Sequence, residues 1–185
     1  PYDQTRTAVD CAFDWLTSHP PERRWRFAPE TARDADSTLW VVRLAEQLDR
    51  EAEVRDGYEF IEAHVGPEGG VRAYQLSDYI ERFDNRTHLP GWFAEHMCVT
   101  AGAGGLRRLG SQDAILDYLR RGQEADGSWP VYWWMDRGYS TAFAAEALAA
   151  TDRPEDRRRV DRAVSWFVAR LDDGMIRPPQ TPSGS

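Results

Sequence analysis

Hydrophobic side chains recur three and four residues apart in two long segments of this chain. The residues at this spacing are Ala8, Cys11, Ala12, Trp15 and Leu16 in the first segment, and Val160, Ala163, Val164 and Phe167 in the second. Such spacing places apolar side chains on one face of a helix. No segment alternates clearly between polar and apolar residues, and only residues 131–134 are ambiguous. The pattern therefore predicts an all-α protein.

The helical segments are arranged as a repeat of helical hairpins. One helix of each unit carries a large apolar pair, at Trp15-Leu16, Phe60-Ile61, Tyr118-Leu119 and Trp166-Phe167, with spacings of 45, 58 and 48 residues. A turn follows each pair, at residues 24–25, 69–71, 126–129 and 173–176. A second helix then opens at Thr38, Thr100 and Thr141, where a hydroxyl group can cap a helix. Because fixed-period self-similarity is typical of repeat proteins, we expect one domain over residues 1–185 with three complete hairpins and part of a fourth.

The second helix of each unit is predicted to be the inner and more buried one. Alanine and glycine dominate residues 101–105 and 144–147, and small side chains let neighbouring helices approach closely. Gly69 and Gly127 lie in the turns, where a glycine can take a positive φ at a helix end. We therefore expect the inner helices to begin at one end of the molecule, close to one another.

Composition and charge narrow the classes of function. The chain has 185 residues, a net charge of −8 and no apolar run of the length that spans a membrane. The acidic balance argues against nucleic acid as a partner. Two cysteines, Cys11 and Cys98, are too few for a disulfide framework, which indicates a reducing compartment such as the cytoplasm. Peripheral contact with a membrane stays open.

Aromatic residues are unusually frequent near the predicted starts of the inner helices. The chain holds eight tryptophans and seven tyrosines. Aromatic walls suit an apolar ligand or a carbocation, which the face of a ring stabilises. The segment from Arg72 to Glu95 is an insertion containing Tyr79, Phe83 and His88. It is interpreted as a substrate lid or a membrane-entry patch, with a packed surface loop as the alternative.

One string carries a family resemblance. Residues 123–129 read Gln-Glu-Ala-Asp-Gly-Ser-Trp, and Thr141-Ala142 follow twelve residues later. This string resembles the QW motif of the squalene–hopene cyclase and oxidosqualene cyclase superfamily, which includes class II terpene cyclases and protein prenyltransferase β subunits. The resemblance implies an α/α toroid of two concentric helix layers. A closed toroid holds more hairpins than this chain, so an incomplete toroid is expected. Either the chain is a fragment of a longer toroid, or a second helical domain or a further copy of the chain closes it.

A second string implies a chemical role. Residues 33–39 read Arg-Asp-Ala-Asp-Ser-Thr-Leu and resemble the D-x-D-D motif of class II terpene cyclases, except that Ser37 replaces the last aspartate. The resemblance implies that Asp36 is the general acid that protonates an alkene or epoxide, tuned or reprotonated by Asp34 and His96. The alternative is an ordinary helix N-terminus, where acidic and hydroxyl side chains act as caps.

Aligning the inner helices on their threonines gives a set of residues expected to meet at one mouth. Two residues before each threonine are Asp36, Cys98 and Tyr139; four before are Asp34, His96 and Arg137; five before are Arg33, Glu95 and Asp136. The residues predicted to bind substrate are Trp40, Trp92, Trp133, Trp134, Asp136 and Tyr139. The expected ligand is an apolar, isoprenoid-like molecule that is cyclised after protonation.

Two alternatives to a class II cyclase, an isomerase or lyase, stay open. One is a non-catalytic scaffold that binds a hydrophobic ligand or a protein. The other is a zinc prenyltransferase-like subunit, in which His96, Cys98 and either Asp136 or Asp36 would offer nitrogen, sulfur and oxygen ligands. The first reading needs no cofactor, although Mg²⁺ would accompany a diphosphate substrate.

Overall fold

The computed structural model describes residues 2–20, 25–77 and 91–172. Within these ranges the chain forms seven α-helices and no strand. The helices are α1 (Tyr2–Thr17), α2 (Ala35–Leu48), α3 (Arg55–Ala63), α4 (Met97–Gly104), α5 (Gln112–Gly122), α6 (Gly138–Ala149) and α7 (Pro154–Asp172). A 3₁₀ helix at Glu51–Val54 precedes α3, and isolated bridges join Val65 to Val71 and Arg72 to Glu95. The all-α prediction is confirmed, and residues 131–134 are not a strand.

The helices form two layers. The helix α4 lies between α2 and α6, and these three form the inner layer. In the outer layer, α3 packs on α2, α5 on α4 and α7 on α6, while α1 also packs on α2. The outer helices α3, α5 and α7 therefore each cover the inner helix of the preceding unit, whereas α1 covers the inner helix of its own unit. This is the architecture of an α/α toroid, built here from three hairpins and the first helix of a fourth.

Small residues set the spacing of the inner layer, as the sequence predicts. A Cβ atom at Gly102 of α4 would lie 2.9 Å from Leu39 Cδ1 of α2. A Cβ atom at Gly104 would lie 3.0 Å from the Cβ atom of Ala147 on α6. Both distances are shorter than ordinary van der Waals contact, so the inner helices approach as closely as glycine allows.

Two turns of different sequence have the same hydrogen bonds. In one turn Gly66 N–H donates to Gly70 O (2.8 Å), and in the other Glu124 N–H donates to Ser128 O (2.9 Å). Gly69 and Gly127 occupy matching positions, with φ of 90° and 93°. A Cβ at Gly69 would lie 2.1 Å from the Ala114 carbonyl oxygen of α5, and one at Gly127 would lie 2.6 Å from the Arg162 carbonyl oxygen of α7. Glycine is therefore required twice over, by the left-handed backbone and by the neighbouring outer helix.

The side chains of the QW string hold their own turn. Asp126 Oδ1 accepts from the backbone N–H of Ser128 (2.9 Å) and from its hydroxyl (2.8 Å). Trp129 is fully buried, and its indole N–H donates to Leu119 O (2.8 Å). Trp25 makes the matching bond to Leu16 O (3.2 Å). Trp129 is therefore a core residue of the repeat rather than part of a ligand wall.

The helix α1 buries a different face from the predicted one. Phe13 is fully buried, whereas Trp15 is 66 % exposed and Cys11 and Ala12 are also exposed. The guanidinium carbon of Arg50 lies 4.4 Å from the centre of the Phe13 ring, so the connection after α2 covers that residue. The predicted face is confirmed at Leu16, which packs against the core, and is wrong at Ala8, Cys11, Ala12 and Trp15, which are exposed.

Some expectations fall beyond the described residues. Tyr79, Phe83 and His88 of the expected lid lie there, as does the turn at residues 173–176. In the part of the chain that is described, no helix combines the length and the apolar character needed to cross a membrane.

Candidate active site

The inner helices begin at one end of the layer, where a threonine fixes each start. The hydroxyl of Thr38 donates to Asp34 O (2.7 Å), and that of Thr100 donates to His96 O (2.8 Å). The Thr100 hydroxyl also accepts from Val71 N–H (2.8 Å), and the Thr141 hydroxyl accepts from Trp129 N–H (3.1 Å). The bonds from Val71 and Trp129 tie two of the turns to the helices that follow them. They also set the register of the residues just before each threonine.

The row of residues two positions before the threonines comes together, as the alignment predicts. The Tyr139 hydroxyl of α6 donates to Asp36 Oδ1 of α2 at 3.3 Å. The charge of Asp36 raises the pKa of the Cys98 thiol of α4, although burial is the larger cause. Burial is also the main cause of the raised pKa of Tyr139, followed by the charges of Asp36 and Cys98. A carboxyl, a thiol and a phenol from three successive units thus share one site.

The side chains of the other two rows have partners of their own, some in the same unit and some in another. Their members are Asp34, His96, Arg137, Arg33, Glu95 and Asp136. Arg137 pairs with Glu124 at 2.6 Å, and Glu95 pairs with Arg72 at 3.3 Å. Both pairs join a helix start to its own turn, so they belong to the walls of each unit rather than to a shared site.

Asp136 lies in a different setting from the one predicted. Its side chain is 54 % exposed and pairs with Arg170 of α7. The same carboxylate accepts from Gly138 N–H at 2.6 Å. Asp136 therefore links the first residue of α6 to α7, and its role in substrate binding stays a prediction.

Asp34 is a buried helix cap with several donors. It is only 3 % exposed. Its Oδ1 accepts from Ser37 N–H (2.6 Å), and its Oδ2 accepts from Phe27 N–H and from the Ser37 hydroxyl, both at 3.0 Å. Burial raises the pKa of Asp34, and the hydrogen bonds from Ser37 and Phe27 oppose that rise. The capping alternative is thus correct for this residue, which also acts on its neighbour by its charge.

Asp36 has the opposite surroundings. It is partly buried, and Tyr139 is the one hydrogen-bond donor that its carboxylate has among the described residues. Burial and the nearby charge of Asp34 raise the pKa of Asp36 to about 6, while the bond from Tyr139 lowers it. Burial disfavours a charged carboxylate, and a second carboxylate adds repulsion. Asp36 therefore keeps its proton at a much higher pH than an exposed aspartate does.

Ser37 supports the cap rather than the acid. Both its N–H and its hydroxyl donate to Asp34. The residue that replaces the last aspartate of the D-x-D-D pattern is therefore not a second acid. Its effect on Asp36 passes through Asp34.

His96 has partners other than the predicted one. Burial lowers the pKa of His96, while hydrogen bonds to the backbone of Gly91 and Trp92 raise it. Its ring is stacked on Tyr132, with centroids 4.1 Å apart. The hydrogen bond to Asp36 is made by Tyr139, and the role of His96 in tuning or reprotonating Asp36 stays a prediction.

One group of aromatic rings lies beside Asp36. Trp134 is stacked on Tyr139 with centroids 5.0 Å apart, and Trp40 meets Tyr139 edge-on at 6.0 Å. Phe143, which the sequence reading missed, touches both Trp40 (5.1 Å) and Tyr139 (4.9 Å). The sequence could have identified Phe143 by its position one helical turn after Tyr139. Trp134 is 48 % exposed and Trp40 is 40 % exposed, so their ring surfaces remain open to a ligand.

A second aromatic group is packed within itself. Trp133 meets Tyr74, Trp92, Tyr132 and His96, with centroids 4.9 to 6.1 Å apart. Tyr74 and Trp92 are stacked at 5.4 Å. This group joins the segment before α4 to the segment before α6. It stabilises the site by holding the two segments together.

No set of metal ligands is found in the residues that the structure describes. They contain no group of three or more histidine, cysteine, aspartate or glutamate side chains placed to hold an ion. The sulfur of Cys98 instead receives hydrogen bonds from the backbone of Trp133 and Tyr132. The zinc alternative therefore gains no support from the geometry at His96 and Cys98.

Comparisons with known proteins find squalene–hopene cyclases among the relatives of the chain, although no family model matches it. A probable squalene–hopene cyclase from Sinorhizobium fredii is 28 % identical over 192 residues, which covers 89 % of this chain and 29 % of that protein. A squalene–hopene cyclase from Zymomonas mobilis is 25 % identical over 183 residues, covering 86 % and 28 %. The chain thus spans less than a third of the length of these relatives.

Solved structures match the whole of this chain. A protein from Actinoplanes superposes with a TM-score of 0.85 and 36 % identity, over 57 % of its own length. A variant of the type II terpene cyclase MstE from Scytonema, in complex with its substrate geranylgeranyl dihydroxybenzoate, has a TM-score of 0.85, 28 % identity and 55 % coverage. Unliganded MstE has a TM-score of 0.78 at 29 % identity. The chain thus spans a little over half of each solved protein.

Proposed function

Because the chain belongs to the squalene–hopene cyclase and class II terpene cyclase superfamily, we propose that it initiates the cyclisation of a polyprenyl chain by proton transfer from Asp36. The observation that carries the proposal is the state of this carboxyl group. It is partly buried, lies beside open aromatic rings and has a pKa raised to about 6. A general acid needs a proton near the working pH, and this environment supplies one.

The proposed reaction begins with a bond between the Asp36 proton and one carbon of a terminal alkene. The other alkene carbon becomes a cation, and a neighbouring double bond of the same chain attacks it to close a ring. The faces of Trp134 and Tyr139 are placed to stabilise the cation through their negative quadrupoles. Loss of a proton to water or to a base then ends the reaction. The net change is an isomerisation, because one proton enters and one leaves.

Tyr139 assists the acid after the proton has left. Its hydroxyl already donates to Asp36 Oδ1, and that bond strengthens when the carboxylate becomes charged. The interaction therefore favours the transition state, in which charge develops on the carboxylate, over the neutral acid. Water then returns the proton to Asp36 at a pH near its pKa.

The proposed substrate is an apolar isoprenoid chain. MstE binds geranylgeranyl dihydroxybenzoate, and the curated relatives are named for squalene. In this chain the rings beside Asp36 offer a surface of the same apolar character. A polar head group would lie away from these rings, towards solvent.

The test is incubation with squalene or geranylgeranyl dihydroxybenzoate in D₂O, followed by mass spectrometry of the extracted products. The acid exchanges its proton for a deuteron, so a cyclised product should carry one deuterium that the recovered substrate lacks. The Asp36→Asn variant is the control, because it keeps the shape of the side chain without an acidic proton. A deuterated product from the wild type alone supports the proposal.

Two other results would count against it. Equal deuterated product from Asp36→Asn would show that another group is the acid. Saturable quenching of tryptophan fluorescence by the same substrates, with no product, would favour the non-catalytic scaffold. In that case the rings would bind an isoprenoid that Asp36 does not protonate.

A further inference from the structure

Two levels of side-chain contact join α2 to α6, one behind the other along the two helices. At the first level, nearest the helix starts, the Tyr139 hydroxyl donates to Asp36 Oδ1 at 3.3 Å. At the second level, one helical turn further along each helix, the rings of Trp40 and Phe143 meet edge-on with centroids 5.1 Å apart. One turn advances an α-helix by about 5–6 Å. The two rings therefore lie about that much deeper than the carboxyl group of the proposed acid.

An ion pair forms a third level directly behind these two rings. Arg43 and Glu146 lie on the next turn of α2 and α6, and Nη2 of Arg43 donates to both carboxylate oxygens, at 2.7 and 3.0 Å. The guanidinium carbon lies 4.9 Å from the centre of the Phe143 ring and 5.9 Å from that of Trp40. Arg43 also donates to Gly102 O of α4 at 3.2 Å, and its side chain is 11 % exposed. The space behind the rings is thus occupied by a fixed side chain.

The rings of Trp40 and Phe143 close the site on the side away from the mouth, and we call them the floor. On the mouth side the site is open. Trp134, which comes before the start of α6, is 48 % exposed and stacks on Tyr139. Trp40 is 40 % exposed, so a ligand can reach the floor. A chain that enters at the mouth therefore meets the acid first and the floor last.

We propose that the floor is an end stop for the substrate: the tail of an isoprenoid chain rests against Trp40 and Phe143, which places its terminal double bond beside Asp36. This inference rests on the proposed function, since it determines which double bond of the chain receives the proton. An isoprenoid carries several double bonds of similar chemistry, so an acid alone does not select among them. Only a few bonds separate the terminal double bond from the end of the chain. A stop about one helical turn beyond the acid holds that bond near the proton.

The end stop predicts that the site discriminates against bulk at the tail of a ligand and tolerates it at the head. Extra atoms at the tail would press on rings that Arg43 prevents from yielding, and overpacking of this kind is unfavourable. Extra atoms at the head would extend into the open mouth. Phe143 and Trp40 are thus positioning residues, which act on the reaction through the placement of the substrate.

The experiment measures the Kd of three ligands by quenching of tryptophan fluorescence, in the Asp36→Asn background so that none of them is converted. The first is geranylgeraniol. The second has ethyl groups in place of its two terminal methyl groups. The third is its ethyl ether, which adds the same two carbons at the head. The tail analogue should bind about tenfold more weakly than the head analogue.

Phe143→Ala should reverse this preference, because it opens space behind the tail. Each methylene group that enters this space should lower Kd by about fourfold, so the tail analogue should bind up to about 15-fold more tightly than geranylgeraniol. Phe143→Leu, which perturbs the fold less, should bring the Kd values of the two analogues closer together. Circular dichroism should show the same helix content in all variants.

Trp134→Leu is the matched control, since it removes a ring of the same site on the mouth side. It should weaken all three ligands and leave the ratio of the two analogues unchanged. A loss of packing at any position would weaken binding, but only the floor should change this ratio.

Equal binding of the two analogues before Phe143 is changed would overturn the proposal. A ratio that stays the same in Phe143→Ala and Phe143→Leu would also overturn it, as would the absence of binding by all three ligands. The measurement needs no turnover, so it separates the two proposals. Tail discrimination without cyclised product would count against the reaction alone, and cyclised product without tail discrimination would count against the end stop alone.

Discussion

Two carboxyl groups at the start of α2 lie two residues apart in very different surroundings. The cap region at Asp34 is almost fully buried and supplies donors from Phe27 and Ser37. The region at Asp36 is open on one side and supplies the single, longer bond from Tyr139. Burial raises the pKa of both groups. Exposure and the number of donors together therefore separate the structural carboxyl group of Asp34 from the carboxyl group of Asp36, which a ligand can reach.

The two regions also depend on each other. Asp34 is close enough to raise the pKa of Asp36 by its charge. The donors that oppose the rise in the pKa of Asp34 thus also act on the pKa of Asp36. Substitutions at each carboxyl group should separate the role of Asp34 as a helix cap from the role of Asp36 as the proposed acid.

Asp36→Asn should have the largest effect of these substitutions, which is a loss of activity. Loss of the acidic proton removes general acid catalysis, so kcat should fall by about 10²- to 10⁴-fold. Cyclised product measured over time gives the rate. Circular dichroism should show an intact fold, since asparagine keeps the size of the side chain. A fall of less than about tenfold would mean that Asp36 is not the acid.

Asp34→Ala should affect stability instead. The substitution leaves the N–H groups of Phe27 and Ser37 without their acceptor, and the free energy of unfolding should fall by about 2–4 kcal/mol. Urea denaturation followed by tryptophan fluorescence measures this change. Asp34→Asn keeps one acceptor oxygen and should lose about half as much. Equal stability of Asp34→Ala and the wild type would contradict the assignment as a cap.

The raised pKa of Asp36 should make the stability of the protein depend on pH. Because the folded pKa of Asp36 is raised to about 6 from 3.8, its contribution to the free energy of unfolding is fully present below pH 3.8. It is lost as the pH rises through about 6. Allowing for its contact with solvent, this loss should be about 2 kcal/mol. Asp36→Asn should remove this dependence of the free energy of unfolding on pH. The variant should therefore gain stability relative to the wild type as the pH rises from 4 to 7, which thermal melts at each pH would measure.

Ser37→Ala should give the smallest change. It removes the hydroxyl bond to Asp34 and leaves the backbone N–H bond in place, so stability should fall by about 1 kcal/mol. The rate of cyclisation should stay within about threefold of the wild type, because Asp36 and Tyr139 are untouched. A much larger loss of rate, measured under the same conditions, would show that Ser37 acts on the acid directly.

Features that repeat along the chain could be predicted from the sequence. The threonines fixed the register of three inner helices, and this was enough to bring Asp36, Cys98 and Tyr139 together. The inner position of α4 and α6 followed from their alanine and glycine content, because close approach depends on side-chain size. The threonine recurs at all three inner helices, and the small residues recur at two of them.

Features that depend on a neighbouring segment could not be predicted in this way. The donor from Phe27 lies in a loop with no repeat signature, so the sequence did not separate the role of Asp34 from that of Asp36. The ring of His96 is stacked on Tyr132, which belongs to another unit. The sequence pattern of one unit does not contain this contact. The buried face of α1 likewise depends on Arg50, which lies beyond the end of α2.

The two glycine turns described above have a practical consequence. Residues 66–71 and 124–129 make the same backbone hydrogen bonds, and each donates its last N–H to a threonine of the following inner helix. The backbone of the turn is thus reused, with one glycine and one hydroxyl group at fixed places, while its other residues are matched to their own unit. A Cβ at Gly66 or Gly70 would collide with the Glu95 side chain, and Trp129 is bonded to Leu119 O. A protein engineer could therefore graft the backbone of either turn into the other unit only by choosing side chains for the unit that receives it.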